Sequence, residues 1–408
     1  MLYISDQLYQ TVKDSQVINW LEVLGRKQVV FDLFITTPVS YLLKSNKLRK
    51  EKVAYARTKV PGKIHQVLVL RGNDKTGISG FMLASYLFCR AIIPYLGGKD
   101  IIVQTRSVNN YKALRILRMF IPGTKVVFDL RGAPAEEYIN SMDYKTIDDV
   151  KDPAIRAVYE GILESQLKII GISYRTLCVS CKLKEYIIEK AKNQYAEKLL
   201  VVPGAADDAS FFPDETKRNA IRKSLNIEDK FVLIYTGKLD CHWHMKEFIF
   251  ELTGKLMQRF PDLYFICITP DVDMGKKLME EYKVDASRVL VKFSRHDEIN
   301  DYLNASDAGL MIRDDIPTNN VASPTKLPEY LLAGLPVIIS KGVGDYSEYV
   351  VKHGFGIMAP NDPEVIGDMM ESQFLGKTFD RKAIAEIARK DYSKQASLDT
   401  LINIYQHI

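Results

Sequence analysis

Cysteine is scarce in this chain, with five residues in 408. That excludes the disulfide-dense frameworks of small secreted domains. Cys178 and Cys181 form one C-x-x-C. No second pair or histidine follows at zinc-ligand spacing, so the two read as small residues at a strand end. Long apolar runs are also lacking. The longest, Ile78 to Leu96, is interrupted by Arg90 and Pro94, whereas a membrane span needs about 20 mostly apolar residues; no span is expected. The opening Met1-Leu-Tyr-Ile-Ser-Asp6 has neither a basic n-region nor a cleavage site, and a cytoplasmic protein is expected. Familiar signatures fail as well. Gly72-Asn-Asp-Lys-Thr-Gly77 has the glycine spacing of a P-loop, but Ile78 and Ser79 replace its Lys and Ser/Thr. No G-x-G-x-x-G follows a strand, which disfavours a nicotinamide enzyme, and no G-x-S-x-G elbow occurs.

The composition that is present, 47% hydrophobic and 26% charged, is that of a globular enzyme. At roughly 100–200 residues per domain, the length predicts two domains. The net charge of +5 hides an asymmetry. Residues 1–203 carry 31 Lys and Arg against 19 Asp and Glu, and residues 204–408 carry 25 against 32. A basic half joined to an acidic half predicts different partners for each.

Short apolar runs alternate with helical patterns. In the first half the runs are Leu2–Ser5, Val29–Ile35, Lys52–Ala56, Asp100–Gln104, Lys125–Leu130, Leu177–Val179 and Leu199–Val202. Several are nearly continuous in Val, Ile, Leu and Phe, which predicts strands buried on both faces of a parallel sheet. Helices are predicted between them at 17–24, 81–95, 111–120, 154–167 and 183–192. The pattern pauses at Pro203–Pro213, a turn-rich stretch that reads as an interdomain crossing. A second series follows, with strands predicted at 231–236, 263–268, 289–292, 308–312 and 337–340, and helices at 245–260, 274–282, 297–303 and 324–333. Two β/α series of about 200 residues predict two Rossmann-like domains facing across a cleft, with ligands at the carboxyl ends of the strands.

The segment Ala322-Ser-Pro-Thr-Lys-Leu-Pro-Glu-Tyr-Leu-Leu-Ala-Gly334 is the most informative. Ser323 reads as an N-cap and Pro324 as the first helical residue. The free N–H groups of Thr325 and Lys326 would then meet an anion at the helix start, with the Lys326 charge beside them. Glu329, one turn further, can take two ribose hydroxyls. Capping alone explains Ser323, Pro324 and Gly334 but not the pairing of Lys326 with Glu329. A second stretch, Thr236-Gly-Lys-Leu-Asp-Cys-His-Trp-His-Met-Lys246, follows a predicted strand. Gly237 lets the backbone approach a ligand, and Lys238 stands at the cleft edge. His242 and His244 lack a third ligand, so no metal is expected.

Together these stretches resemble the retaining nucleotide-sugar glycosyltransferases of family 4, whose fold is GT-B. The resemblance rests on Val202–Pro213, Tyr235–Leu239, Ser323–Ile338 and Gly354-Phe-Gly-Ile357, and is looser before residue 200. It implies an N-terminal acceptor domain (1–203), a C-terminal nucleotide-sugar domain (204–390) and a terminal helix (391–408) that returns to the first. By position, Lys238 matches the basic residue on the donor diphosphate. Trp243 and His244 stand where its partner is usual, with Lys246 just beyond. Glu329 matches the second glutamate of the E-x7-E motif, and Val321 replaces the first. Phe293 and Ser294 fall where the base is held by backbone atoms. Arg131, in Val127-Phe-Asp-Leu-Arg-Gly132, stands where many members have a histidine facing the reacting sugar. Arg106, after the preceding strand, is a second acceptor-side candidate; pairing of Arg131 with Asp129 or Glu136 is the structural alternative.

The resemblance implies transfer from a UDP- or GDP-sugar to a sugar hydroxyl with retention. Lys238, Lys326 and Arg131 would act at the reacting centre, with no cofactor and no metal. Asp271-Val-Asp273 spells D-x-D but lies in the donor domain. The basic run Lys44, Lys47, Arg49, Lys50, Lys52, Arg57, Lys59 and Lys63, against Glu51 alone, suggests contact with the anionic inner face of a membrane or with a lipid-linked acceptor of polysaccharide synthesis. A solvated basic face is the alternative. No aromatic interleaving supports nucleic acid. The competing readings are a nucleotide-sugar 2-epimerase of the same fold and an inactive, transferase-like binding subunit.

Overall fold

The computed structural model describes residues 1–6, 17–39, 46–70, 78–241 and 243–408. Lys44, the Gly72–Gly77 run and His242 lie outside the described residues. Two parallel sheets organise the chain. The first holds β1 (Leu2–Asp6), β2 (Asp32–Pro38), β3 (Ile64–Val69), β4 (Ile102–Thr105), β5 (Lys125–Leu130), β6 (Arg175–Cys178) and β7 (Leu199–Val201), in the order β3-β2-β1-β4-β5-β6-β7. Between them run α1 (Asn19–Arg26), α2 (Asn46–Lys59), α3 (Ile78–Leu96), α4 (Tyr111–Phe120), α5 (Pro134–Asn140), α6 (Pro153–Ile172) and α7 (Cys181–Lys190). Side chains alternate across a strand, so Leu33 and Ile35 face α1 and α2 while Phe34 faces α3 and α4.

The second sheet holds β8 (Phe231–Thr236), β9 (Leu263–Ile268), β10 (Val289–Lys292), β11 (Ala308–Met311), β12 (Val337–Ser340) and β13 (Gly356–Ala359), in the order β10-β9-β8-β11-β12-β13. Its helices are α8 (Glu215–Leu225), α9 (Lys246–Arg259), α10 (Val272–Glu281), α11 (Ile299–Ala305), α12 (Pro317–Asn320), α13 (Lys326–Leu332), α14 (Tyr346–His353), α15 (Pro363–Gln373) and α16 (Arg381–Tyr392). α17 (Lys394–Gln406) returns to the first sheet. There Leu398, Leu401 and Tyr405 join Tyr3, Phe31 and Leu33 in one core, and the Tyr405 hydroxyl donates to the Gln104 side-chain carbonyl. In each sheet the strand order reverses once, between β1 and β4 and between β8 and β11. Such switch points open a crevice at the carboxyl ends of the strands.

Two sequence expectations need correction. The run Lys52–Ala56 is not a strand but the middle of α2. Val53, Ala56 and Val60 recur at helical spacing and face the core; a five-residue apolar run cannot distinguish the two, and β3 is the strand that follows. The stretch Ile78–Leu96 is not interrupted either. It is one helix, α3, long and apolar enough to cross a membrane by length and composition. Pro94 falls in its last turn, where it removes one hydrogen bond, to the carbonyl of residue 90, but leaves too little helix beyond it for a break to matter, and Arg90 reaches back to Asp32 at 2.8 Å. Leu83, Leu87 and Ala91 are buried against the sheet, as in a core helix.

The domains touch along one seam. The Ser180 hydroxyl donates to the Val321 carbonyl at 2.7 Å. The Asp345 carboxylate accepts the N–H groups of Cys181 and Lys182, at 2.6 and 3.0 Å, so the start of α7 is capped from the other domain. Lys145 pairs with Asp314 at 2.7 Å, and the Thr318 hydroxyl donates to Asn140. Cys178 is the buried last residue of β6, its thiol pushed up to about 12 by burial, and Cys181 opens α7.

Candidate active site

The site is built where β8 and β11 end. Beyond Thr236 the chain turns through Gly237, which adopts φ +123°, in the left-handed half of backbone space. A side chain is excluded there for a second reason: a Cβ would fall 2.5 Å from Nζ of Lys326. α13 delivers that lysine. Tyr330, four residues on and so on the same helical face, is fully buried, and its hydroxyl oxygen accepts the Thr236 N–H at 2.9 Å. That bond docks α13 against the end of β8 and lays Lys326 over Gly237. The Lys326 ammonium donates to the Tyr235 hydroxyl at 3.0 Å and lies 4.1 Å from the centre of its ring. Burial, with the neighbouring Arg313 guanidinium second, lowers the Lys326 pKa to about 7.

Arg313 stands two residues beyond β11 and is buried. Its guanidinium donates to the Asn319 side-chain oxygen at 2.9 Å, and burial lowers its pKa. Among the described residues neither Lys326 nor Arg313 makes an ion pair with a carboxylate. The sequence reading missed Arg313. The signal was available, since a basic residue just after a strand had singled out Lys238 and Arg131.

His244 joins this group. Its backbone pairs with Arg313 in an isolated antiparallel bridge, and its Nδ1 lies 2.7 Å from the Lys238 carbonyl. Burial, with Lys326 and Arg313 beside it, lowers its pKa to about 2, so the ring is neutral and Nδ1–H donates to that carbonyl. The Tyr235 hydroxyl donates to the same carbonyl at 3.0 Å. The Lys238 side chain itself points outward, half-exposed, with Nζ 3.8 Å from Asp240. Lys246, the first residue of α9, lies 3.8 Å from Glu247. The loop is tied from the next strand: the Asp271 carboxylate accepts the N–H groups of Leu239 and Asp240 at 2.8 and 3.1 Å. The first carboxylate of the D-x-D spelling thus holds backbone. Among the described residues no group of three or more His, Cys, Asp or Glu could hold a metal ion.

Glu329 is mostly buried and lies 3.7 Å from Nε2 of the exposed His296. A hydrogen bond to Glu329, and then its charge, raise the His296 pKa against the opposing effect of burial. This contact brings the loop after β10 to α13, since Ser294 is two residues earlier. Ser294 is buried, with its hydroxyl on Glu298 at 2.8 Å, and Phe293 is exposed at the rim.

Ser323 is not the helix cap expected of it. α13 begins at Lys326, after Thr325, and Pro324 precedes the helix. The Ser323 hydroxyl instead accepts the Gly204 N–H at 2.9 Å and meets the Tyr346 hydroxyl at 2.8 Å, pinning the interdomain crossing. Thr325 is exposed. Val321, at the position of the missing glutamate, is buried in the first domain's core cluster, and its carbonyl is the acceptor for Ser180. An interdomain contact has taken that position.

In the first domain Arg131 forms an ion pair with Asp129, Nε to Oδ1 at 2.7 Å, and Arg106 shares the same carboxylate at 3.6 Å. Asp129 is buried, and burial opposes the Arg131 charge while Asp129 restores it. Two cations on one carboxylate leave one net positive charge at the ends of β4 and β5.

No model of a known protein family matches this sequence, and no curated protein matches it. Solved structures do. Anabaena Alr3699/HepE, in complex with UDP, superposes with a TM-score of 0.70 at 12% identity, over 100% of this chain and 99% of that one. A glycosyltransferase from Rickettsia africae gives a TM-score of 0.68 at 15% identity, over 100% and 97%. A putative UDP-N-acetylglucosamine 2-epimerase from Listeria monocytogenes gives 0.56 at 10%, over 98% and 94%. Likeness at such identities is likeness of fold, and with the two parallel sheets and the returning helix it gives this chain the GT-B fold.

Proposed function

We propose that the protein transfers a sugar from a UDP- or GDP-sugar to a saccharide hydroxyl, with retention at the anomeric carbon. The observation that carries this reading is the pair Lys326 and Arg313, two largely desolvated cations at the switch point of the second sheet without a carboxylate partner among the described residues. A buried charge lacking a counter-ion is destabilising, and a bound diphosphate supplies the counter-ion. The neighbour of like fold that was crystallised with UDP-glucose supports the same ligand class.

Charge builds on the leaving diphosphate as the C–O bond to the sugar breaks. Fixed cations in a site of low polarity favour that transition state over the ground state. Lys326 and Arg313 supply them, and Lys238 adds a third by swinging from Asp240. His244 and Tyr235, both holding the Lys238 carbonyl, fix the loop's path. Glu329 takes the ribose hydroxyls on release from His296, and the Phe293–Ser294 backbone holds the base. The net charge left by Arg106, Arg131 and Asp129 serves the acceptor. A lipid-linked saccharide of cell-surface polysaccharide synthesis, at the cytoplasmic face of a membrane, fits the basic first domain. The chemistry is metal-independent, so turnover is expected to resist chelation by EDTA.

The test is nucleotide release from a panel of nucleotide sugars, with and without membrane lipid extract. Wild-type release that falls at least about 100-fold in Lys326→Ala and Arg313→Ala supports transfer. Val321, committed to the seam, favours the inactive subunit as the second reading. Tight nucleotide binding without turnover on any acceptor would establish it, and interconversion of two free sugar nucleotides would establish an epimerase instead.

A further inference from the structure

Apart from Ser79, Ser85 and Arg90, α3 is apolar or aromatic throughout, and only half of that surface is spent on the core. Gly80, Leu83, Leu87 and Ala91 are buried. At about 100° per residue, Ile78, Phe81, Tyr86, Cys89, Ile93 and Leu96 fall together on the opposite face, and all six are exposed, Ile93 by 77% and Leu96 by 76%. α4 packs alongside and extends the surface. Its Ala113, Leu114 and Leu117 are buried, Met119 on its outer face is 71% exposed, and Phe120 meets Phe88 of α3 edge-on at 6.0 Å. A cavity of ≈ 220 Å³, almost wholly apolar, opens between the two helices, lined by Phe81, Phe88, Cys89, Ile116 and Phe120. An isolated exposed leucine needs no explanation, whereas a contiguous apolar face does.

The charges on these two helices are of one sign. Neither α3 nor α4 contains an Asp or Glu. Lys112 and Arg115 share the outer face of α4 with Met119, and Lys99 follows α3. Among the described residues none of these three cations forms an ion pair with a carboxylate. Large apolar side chains fringed by cations are the composition of a surface that enters the headgroup region of an anionic bilayer. A second copy of this chain would set cation against cation across a two-fold contact.

The geometry points to the α3–α4 face as the surface by which this protein docks on an anionic phospholipid bilayer, lying in its interface without crossing it. The inward half of α3 is the core of the first domain, so the helix cannot span a membrane while that domain stays folded. The basic helix α2 packs on the sheet's other face, with α1 and α17, and points away from a membrane lying on α3 and α4. The proposal is independent of sugar transfer, because its test reads lipid binding and not turnover.

The experiment is flotation of the full chain with vesicles of phosphatidylglycerol and phosphatidylcholine, against phosphatidylcholine alone. The wild type is expected to float with the mixed vesicles and much less with the neutral ones. Ile93→Glu combined with Phe120→Glu is expected to lower partitioning more than about tenfold. Both residues are exposed, and an unchanged circular-dichroism melt checks folding. Lys112→Gln with Arg115→Gln is expected to weaken flotation and its salt dependence together. Lys47→Gln with Lys50→Gln, on α2, is expected to float like the wild type. Failure of the wild type to float overturns the proposal, as does undiminished flotation of the Ile93→Glu/Phe120→Glu protein. A lipid-free dimer that this variant converts to monomer in sedimentation velocity also overturns it, since the face then belongs to a second copy.

Discussion

At the scale of single residues, Lys326 works against folding and, on the proposed reading, for binding. Its folded pKa, about 7, lies below the ordinary lysine value of 10.5. Between those values the unfolded chain binds more protons than the folded one, so stability rises with pH across that window, and the full penalty is felt below it. Lys326→Met is therefore expected to stabilise the unliganded protein below pH 7 by on the order of 1 kcal/mol, with the gain fading towards pH 10.5, while abolishing nucleotide affinity. Thermal melts across pH check this, and a variant that melts lower than wild type at pH 6 overturns it. The same shift has a calorimetric signature. A diphosphate favours the charged ammonium, so binding at pH 8 should take up roughly one proton. Titration in two buffers of different ionisation enthalpy reads that uptake, and Lys326→Arg, always charged, should lose it. His296 has the opposite sign. Its raised pKa means that the contact with Glu329 stabilises the protein at low pH and is lost as pH climbs through the raised value. On the proposed reading His296 and ribose compete for Glu329, so His296→Gln should tighten nucleotide binding at pH 6 and change it little at pH 8.5; equal effects at both would exclude the competition.

At the scale of elements, the site depends on two docking bonds that no local pattern announces. Tyr330 fixes α13 to the end of β8, and Asp271 fixes the Gly237–Asp240 turn to the end of β9. Asp271→Ala leaves two backbone donors without their acceptor, and about 1–3 kcal/mol of loop order is lost. Donor affinity should fall about tenfold or more while the melting temperature barely moves; a large drop in melting temperature with affinity retained would reverse the assignment. Strands were legible in the sequence because a strand buried on both faces is written as a continuous apolar run: the expected bounds of β8, β9, β10 and β12 coincide with those observed. Lys52–Ala56 misled because five residues cannot fix a period, and only its partners Val60 and α1 make it helical. Ser323 misled because a cap and a distant acceptor look alike in sequence, and the hydroxyl is used by Gly204, 119 residues away. Arg313, by contrast, was legible and overlooked. Its importance lies in its company, Lys326 without a carboxylate, and company is a property of the folded chain.

At the scale of the whole molecule, the seam between the domains sets when the site is complete. On the proposed reading the donor groups, Lys326, Arg313, Glu329 and the Lys238 loop, all belong to the second domain, whereas the acceptor-side Arg106 and Arg131 belong to the first. On that reading nucleotide binding requires one domain, and transfer requires both in register. Asp345 is a two-point tie between them: its two carboxylate oxygens satisfy two N–H groups at the start of α7, where the helix dipole adds to the attraction. Ser180, the N-cap of the same helix, reaches the carbonyl of Val321. Removing a cap of this kind costs about 1 kcal/mol, which shifts an open–closed equilibrium roughly fivefold. Asp345→Ala is thus expected to enlarge the radius of gyration measured by small-angle scattering, leave nucleotide affinity unchanged and slow transfer several-fold. Closure also excludes water from the reacting centre, so the fraction of donor lost to hydrolysis should rise in the same variant. A fall in nucleotide affinity with scattering unchanged would mean that Asp345 acts inside the second domain, and the seam would then be a static contact and not a closing one.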